Sequence, residues 1–600
     1  MTSGRDPRAL LLTITERPEA IATACRDLSS TASTGGLTLM WIEAGRHSTR
    51  VVDASGRACG FASFPSRSAA TEIRTCESSA VAMHRDLARR GARVVAIWTG
   101  EEVSIRGSAT GFDRIYYSTD AQCTVVSDRA DTLAEHVGAQ IDHTGLAISL
   151  ISPVSHPFDQ GPLWTGIVPV QPGLMLSIRA GTPPAVIPWW DPPDAHASLS
   201  DGAKGVRSAI QESVRDAGAG HDAILADLSG GLDSTTITAL GLDLFPRTHF
   251  VALTAGDLGQ NRDQMWAEQA ARHLRPGEHI MLGGADLPLV YSDTLDLGAE
   301  TDHPSPALAT RSTIRSIAAI GRTAGATTHL TGHGGDHMFY GMPTLLRDSV
   351  WRRPRGSLRK INAYRHMLGW PLHEIIRQLL CRQTYAECIK DYDRQSPVRK
   401  DRIPILRWTT PPTLPPWISN HGRDLIAEYV VSPTTDLSPM SRRPGAHAEL
   451  DTIRQGAQLA RAISQISFAH GLELQAPFFD DRVLTATLTL DAEARVDPWS
   501  YKAPLKLAMV DILPHATLTR TSKDEGSLEL ELGIRENRSD IRDLLEDSHL
   551  ANLGIIDADI LHHALETEMH PALSDSGLTT TICTESWLRG RILTTGMDQP

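Results

Sequence analysis

The segment Leu228-Ser229-Gly230-Gly231-Leu232-Asp233-Ser234 holds the residues best suited to chemistry in this chain. It follows an apolar run, residues 223–228 (AILADL), that reads as a buried strand, and it leads into a helix read from Thr235. A helix N-terminus offers unbonded backbone N–H groups and the positive end of the helix dipole, so such a turn is an anion site. Gly230 and Gly231 let the backbone approach an anion closely. Ser229 and Ser234 add hydroxyl donors, and Asp233 supplies a hard oxygen ligand of the kind Mg²⁺ prefers. A bare Gly-Gly pair is ordinarily just a turn; the full hexapeptide between strand and helix is far more specific. No Gly-Lys-Ser/Thr follows, so this is not a Walker loop, and no G-x-G-x-x-G is present here to mark a dinucleotide site.

Around this loop strands and helices alternate. Strands are expected at 249–253, 279–282 and 328–331, and helices at 264–274 and 307–323. That order predicts a parallel sheet with helical cover. Residues 1–190 carry short alternating or apolar runs, such as 37–42, 93–98, 114–117 and 122–126, separated by Gly, Ser and Asp, and read as strand-rich. Asp191-Pro192-Pro193-Asp194-Ala195 reads as a linker. The expected division is therefore 1–195 and 196–600, with a helical, irregular insertion at about 345–445 and mainly helix beyond it. The fold class is multidomain α/β.

The 600 residues carry 58 Lys and Arg against 71 Asp and Glu, a formal charge of −13. No global basic field exists to displace phosphate counterions, which argues against nucleic acid as a non-specific partner. The seven cysteines form no C-x-x-C pair, so a zinc site is not expected, and their odd, dispersed count suits a reducing compartment. Cys381 and Cys388 are expected to share one helical face and pack in a core. The first apolar run is too short for a signal peptide or a membrane span, which places the protein in the cytoplasm with no membrane partner. The run Trp351-Arg352-Arg353-Pro354-Arg355 is basic and reads first as a solvated face.

With these residues in view, Ser229–Ser234 (SGGLDS) resembles the pyrophosphate loop of the asparagine synthetase family. Its members cleave ATP between the α and β phosphates, form an acyl-adenylate and pass the acyl group to an amine. Thr331-Gly332-His333-Gly334-Gly335-Asp336 resembles the family's second loop, whose aspartate completes the Mg²⁺ site. His337 stands where the family usually has Glu, so that residue's role does not transfer. Ala476-Pro477-Phe478-Phe479-Asp480 is similar to the family's Pro-Phe-Leu-Asp segment. Lys502 to Lys506, Leu513-Pro514 and Arg520-Thr521-Ser522-Lys523 resemble its C-terminal signature. The resemblance implies ATP and Mg²⁺ as cofactors, with Asp233 and Asp336 on the metal. It puts Ser229, Gly230, Gly231 and Ser234 around the pyrophosphate, Leu228 and Leu253 beside the adenine, and Gly332 beside ribose or phosphate. Lys523 becomes the catalytic lysine.

Gly111 to Tyr117, Trp164 to Gly173 and Pro188 to Pro192 resemble parts of the family's glutaminase domain, an α+β sandwich. A working glutaminase has Cys directly after the initiator Met; residue 2 here is Thr, so this domain is expected to be inactive and to shape the synthetase cavity. The C-terminal half resembles lasso-peptide macrocyclases through Thr301-Asp302-His303-Pro304-Ser305-Pro306, the PPTLPPWI run from Pro411 to Ile418, Trp351, Trp370, Trp408 and Trp417, and the tail from Asp547 to Ile560. It implies an enzyme that adenylates an Asp or Glu side chain of a leader-free precursor peptide and closes a ring onto the N-terminal amine. Its partners would be the precursor peptide, a leader peptidase and a leader-binding protein. The alternatives are an ammonia-dependent asparagine synthetase, a small-molecule amide or β-lactam synthetase, and a non-catalytic peptide scaffold.

Overall fold

The computed structural model describes residues 10–15, 30–34, 37–42, 48–65, 72–121, 123–256, 262–391, 404–409, 412–520, 527–566 and 576–595. Thr2 and Lys523, both singled out above, lie outside them.

Two sheets built by residues 11–188 face each other. Among the described residues one has six strands, with Leu11–Thr15 hydrogen-bonded between Cys123–Ser127 and Leu37–Ile42, and the other has seven, with Val95–Thr99 between Glu102–Arg106 and Ala58–Ser63. Most pairs are antiparallel; Ser48–Val52 and Glu72–Arg74 run parallel. Alternation puts Leu12 and Ile14 of one sheet against Ala96, Val103, Ile105 and Leu176 of the other in a single buried cluster. The strand-rich reading of this region matches these elements.

The parallel sheet is built by β1 (Ala223–Asp227), β2 (His249–Ala255), β3 (Glu278–Leu282), β4 (Thr328–Leu330) and β5 (Glu473–Gln475). Their spatial order is β3-β2-β1-β4-β5, and every pair is parallel. The chain runs outward from β1 to β3, then returns to β4 on the other side of β1. The crevice beyond the carboxyl ends of β1 and β4 is thus the topological switch point, where ligands bind in open α/β sheets. Covering helices include α1 (Leu199–Gly218), α2 (Leu232–Leu244), α3 (Arg262–Leu274) and α4 (Arg311–Thr323). Helix α2 begins at Leu232, three residues before the expected start, because Gly231 serves as its N-cap. Strand β5 was not expected: three residues in a helical half show no period, and only pairing with β4 makes them a strand.

Beyond the sheet the chain is mainly helical, with the 26-residue α6 (Pro444–Ala469) along its middle and α8 (Ser576–Thr595) closing it. The short helix α5 (Gly335–Phe339) follows the second loop, and α7 (Ala503–Ala508) follows Lys502. Cys381 and Cys388 do not share a helix face: Cys381 lies between helices Leu372–Leu379 and Tyr385–Lys390, and only Cys388 is buried. Trp370 and Trp417 are core residues, whereas Trp351 is 71% exposed and the basic run 351–355 is a solvated face.

Buried polar contacts join the sandwich to the helical part. Arg461 of α6 makes two 2.6 Å bonds to the Asp302 carboxylate, which also accepts the Ala130 N–H at 3.2 Å. The Asp481 carboxylate accepts the N–H groups of Ala109 (2.8 Å) and Thr110 (3.3 Å). Among the described residues no helix is long and apolar enough to cross a membrane.

Candidate active site

The first loop is closed by its own hydroxyls. Ser229 Oγ and Ser234 Oγ are 2.9 Å apart, the Ser229 N–H donates to Ser234 Oγ at 3.1 Å, and the Gly231 N–H donates to Ser229 Oγ at 3.3 Å. Gly230 has φ +69°, and a Cβ there would lie 2.3 Å from the backbone of Trp266 on α3, so the turn can seat only glycine. At Gly231, among the described residues outside its chain neighbours and helix backbone, the one atom within 4 Å of a built Cβ is Ser229 Oγ at 3.2 Å.

The second loop meets the first without a gap. A Cβ on Gly332 would lie 2.7 Å from the Ser234 nitrogen, and one on Gly335 would lie 2.2 Å from Asp233 Oδ1. Two glycines of the second loop thus make room for the side chain and backbone of the first. Behind both, Asp227 at the end of β1 accepts from Thr331 Oγ1 (2.6 Å) and sits 2.7 Å from His329 Nε2. Burial opposes its charge, but His329 and the bonds from His329 and Thr331 outweigh it and hold the carboxyl down at about 2. Asp227 therefore fastens β1 to β4 at the switch point. Sequence reasoning read it only as part of a strand.

Asp233 and Asp336 come together as expected, on a partner that was not assigned a role. Lys502 Nζ bonds to Asp233 Oδ2 and lies 2.8 Å from Asp336 Oδ1, with its side chain 1% exposed. Tyr501 donates its hydroxyl to Asp336, and the ammonium lies 4.8 Å from the Tyr501 ring centroid. The C-terminal signature contains Lys502, but its spacing does not reveal the contact, because 269 residues separate it from Asp233. The residues fit a divalent cation by the chemistry of the donors: two carboxylates already converge on one positive charge, and Mg²⁺ at nucleotide sites uses one or two carboxylates with substrate phosphates. Among the described residues no cluster of three or more His, Cys, Asp or Glu side chains could hold a metal by itself.

Other expected residues sit at varied distances from this centre. Leu228 and Leu253 are fully core side chains, and the Leu228 N–H donates to the Leu253 carbonyl at 2.8 Å, so they can shape the crevice floor without presenting a side chain. Phe478 and Phe479 are buried, and Asp480 caps the helix Asp481–Thr489 and pairs with Arg482. That segment supports the second loop from below, through Phe479 against Gly334 and His337. Arg520 was also quoted only as part of a signature. Its guanidinium donates to the Ser229 carbonyl at 3.3 Å, pairs with Asp263 and lies over Trp266, joining the C-terminal segment to the loop. Lys523 itself lies outside the described residues.

A chamber of about 360 Å³ separates the sandwich from the helical part; Arg114, Tyr116, Asp302, Arg461, Thr584 and His337 contribute to its lining. Among the described residues, Tyr116 Oη, Arg114 Nε, Thr584 Oγ1 and His337 Nδ1, each on a residue that lines the chamber, are buried with no hydrogen-bond partner. His337 borders the chamber and follows Asp336 directly. Burial first, and then the charges of His333 and Lys502, lower its basicity against the opposing pull of Asp336.

Several known proteins are similar to this chain. Proteins of Mycobacterium bovis and of two strains of Mycobacterium tuberculosis are 26% identical over 451 residues, and their description names an asparagine synthetase (glutamine-hydrolyzing). The alignment spans 72% of this chain and 66% of theirs, so the chain covers just under two thirds of these relatives. Two solved structures also match. One is the glutamine phosphoribosylpyrophosphate amidotransferase from B. subtilis with ADP and GMP, at 12% identity and TM-score 0.14 over 43% of this chain and 52% of that one. The other is described as the allosteric regulatory enzyme of purine biosynthesis, at 13% identity and TM-score 0.14 over 43% and 50%. At such scores neither bears on the architecture. The sequence model of the family described as Asparagine synthase matches residues 205–589, which holds both loops, Lys502 and the whole parallel sheet. The chain belongs to the asparagine synthase family, whose members are ATP-dependent carbon–nitrogen ligases that form AMP and pyrophosphate.

Proposed function

We propose that this chain activates a carboxylate with ATP, releasing pyrophosphate, and transfers the acyl group to an amine with release of AMP. The observation that carries this is the dovetailing of the Ser229–Ser234 loop with the Thr331–Asp336 loop at the switch point, with Asp233 and Asp336 on one cation. A magnesium ion held by Asp233 and Asp336 supplies positive charge for the departing pyrophosphate. The N–H groups of Gly231 and the first turn of α2 receive phosphate oxygens, backed by the helix dipole. Ser229 and Ser234 hold the turn in shape, and Lys523 stabilises charge at the reacting phosphate and carbonyl.

In this reading the acid is an Asp or Glu side chain of a leader-free precursor peptide and the amine is that peptide's own N-terminus, so the product is a macrolactam. The C-terminal half supports it through its resemblance to lasso cyclases. The chamber, whose lining includes His337, the residue after Asp336, supports it as a space that can take part of a peptide. An N-terminal amine has an ordinary pKa of about 7.7–8.0, so a neutral fraction exists near pH 7, and holding it against the acyl-adenylate supplies much of the rate. A cytoplasmic location, a leader peptidase and a leader-binding protein belong to the same proposal. A second reading is amidation of free aspartate by ammonia; the description of the mycobacterial relatives, a glutamine-hydrolyzing asparagine synthetase, favours the aspartate part of it.

One experiment separates the two. The protein is incubated with ATP, Mg²⁺ and a peptide bearing N-terminal Gly and an internal Asp or Glu; parallel reactions contain aspartate with ammonia, and aspartate with glutamine. Loss of one water from the peptide with AMP formation is expected. Asparagine formation without peptide cyclisation replaces the first reading with the second, and ADP as the nucleotide product rejects both.

A further inference from the structure

We infer that Lys502 is a built-in cation that occupies the divalent-metal seat in the nucleotide-free protein and must leave it when the metal binds. The inference rests on the reading that Asp233 and Asp336 are the metal ligands.

The geometry is specific. Lys502 is 2% exposed, and most lysines are not buried unless paired. Its ammonium is shared between two carboxylates that come from opposite sides of the switch point. Brought this close, two carboxylates repel each other, and a cation between them removes that repulsion. One ammonium against two carboxylates still leaves a net negative charge. A divalent ion would neutralise both, but at that position it would stand against the Lys502 charge. The two cations therefore compete for the same oxygens.

The backbone is arranged for this placement. Lys502 has φ +52°, the left-handed region that residues with a Cβ rarely adopt, directly before α7. Its turn aims the side chain at Asp233 and places Tyr501 so that its hydroxyl reaches Asp336. Tyr501 remains on Asp336 when the ammonium withdraws, so one of the two carboxylates stays oriented. Asp336 is the more exposed of the pair, 47% against 17% for Asp233, which makes it the side from which an incoming ion would displace the lysine. Lys502 is in this sense a positioning residue: it keeps the two carboxylates together before the metal arrives.

The test uses the full chain with Mn²⁺ alone, followed by electron paramagnetic resonance, and thermal melting with and without Mg²⁺. In Lys502→Met and the more polar Lys502→Gln, the Mn²⁺ dissociation constant should fall by about tenfold or more. The metal-free melting temperature should drop, and Mg²⁺ should restore more of it than it adds to the wild type. Lys502→Arg keeps the charge and should bind Mn²⁺ as the wild type does. Unchanged or weaker Mn²⁺ binding in folded Lys502→Gln overturns the proposal. Asp233→Asn and Asp336→Asn control the underlying reading: if Mn²⁺ still binds to both at wild-type affinity, the metal-ligand assignment fails, whatever Lys502 does.

Discussion

Asp302 and Asp233 are both met by a buried cation, yet their surroundings differ in every other respect. Asp302, 1% exposed, receives both Arg461 nitrogens, the Ala130 N–H and the Gln465 amide at 3.0 Å, and His303 Nδ1 lies 3.2 Å away. Burial opposes its charge, but Arg461 and His303 hold the carboxyl well below the usual range. Asp233 and Asp336 share a single ammonium at the mouth of a crevice. The first arrangement gives each charge several fixed partners across the junction of sandwich and helices. The second puts one ammonium between two charges, where a better cation can displace it. Structural ion pairs are over-determined, whereas a binding site keeps its charges under-compensated until the ligand supplies the rest.

Substitutions on the two sides should separate these roles. Asp233→Asn should reduce AMP formation by at least about a thousandfold, because several kcal/mol of transition-state stabilisation pass through this carboxylate, while the melting temperature changes little. Pyrophosphate exchange alongside calorimetry measures both; exchange at near-normal rates would remove Asp233 from the site. Arg461→Met should do the reverse. It leaves Asp302 buried without its main partner and should cost about 3–5 kcal/mol of stability, with ATP binding by the folded fraction unchanged, since Arg461 touches neither loop. A wild-type denaturation midpoint would show that the junction does not depend on this pair.

A smaller effect is expected from acid. His447 of α6 is fully buried, and its Nδ1 accepts the Met440 N–H at 3.2 Å, which requires the neutral ring. Burial first, then the charges of His156 and Arg454, push it from 6.5 down to about 3. The unfolded chain takes up this proton below pH 6.5 and the folded one does not until about pH 3, so stability is lost as pH falls through that window. The loss is at most about 1.4 kcal/mol per pH unit. His447→Gln should flatten that part of the stability curve relative to wild type; identical slopes between pH 6.5 and 5 would show that His447 is not the group responsible.

The local elements were legible because each carries its own signal. Residues 223–228 read as a strand from a continuous apolar run, and the alternating runs before residue 190 read as strands from their period. The SGGLDS turn was legible as a strand-to-helix turn of the kind that can hold an anion because the requirement is local: glycines, hydroxyls and a helix start within six residues. Strand β5 was not legible, since its three residues become a strand only beside β4. The shared helix face expected for Cys381 and Cys388 failed for a related reason: the helix ends at Leu379, before Cys381, and seven-residue spacing means nothing across a break.

By itself the sequence determined the glycine and hydroxyl pattern of the Ser229–Ser234 turn and the alternation that makes a parallel sheet; the pairing of Asp233 with Asp336 was implied by the family resemblance of their motifs. Only the tertiary structure decided what stands between those carboxylates. Lys502, Tyr501 and Arg520 reach the two loops from segments far apart in the chain, and Asp227 meets Thr331 across 104 positions; neither propensity nor periodicity carries information across such separations. The order of strands around β1 brings the loops into contact, and the glycines at 332 and 335 matter because of what the fold places against them, the backbone of Ser234 and the carboxylate of Asp233.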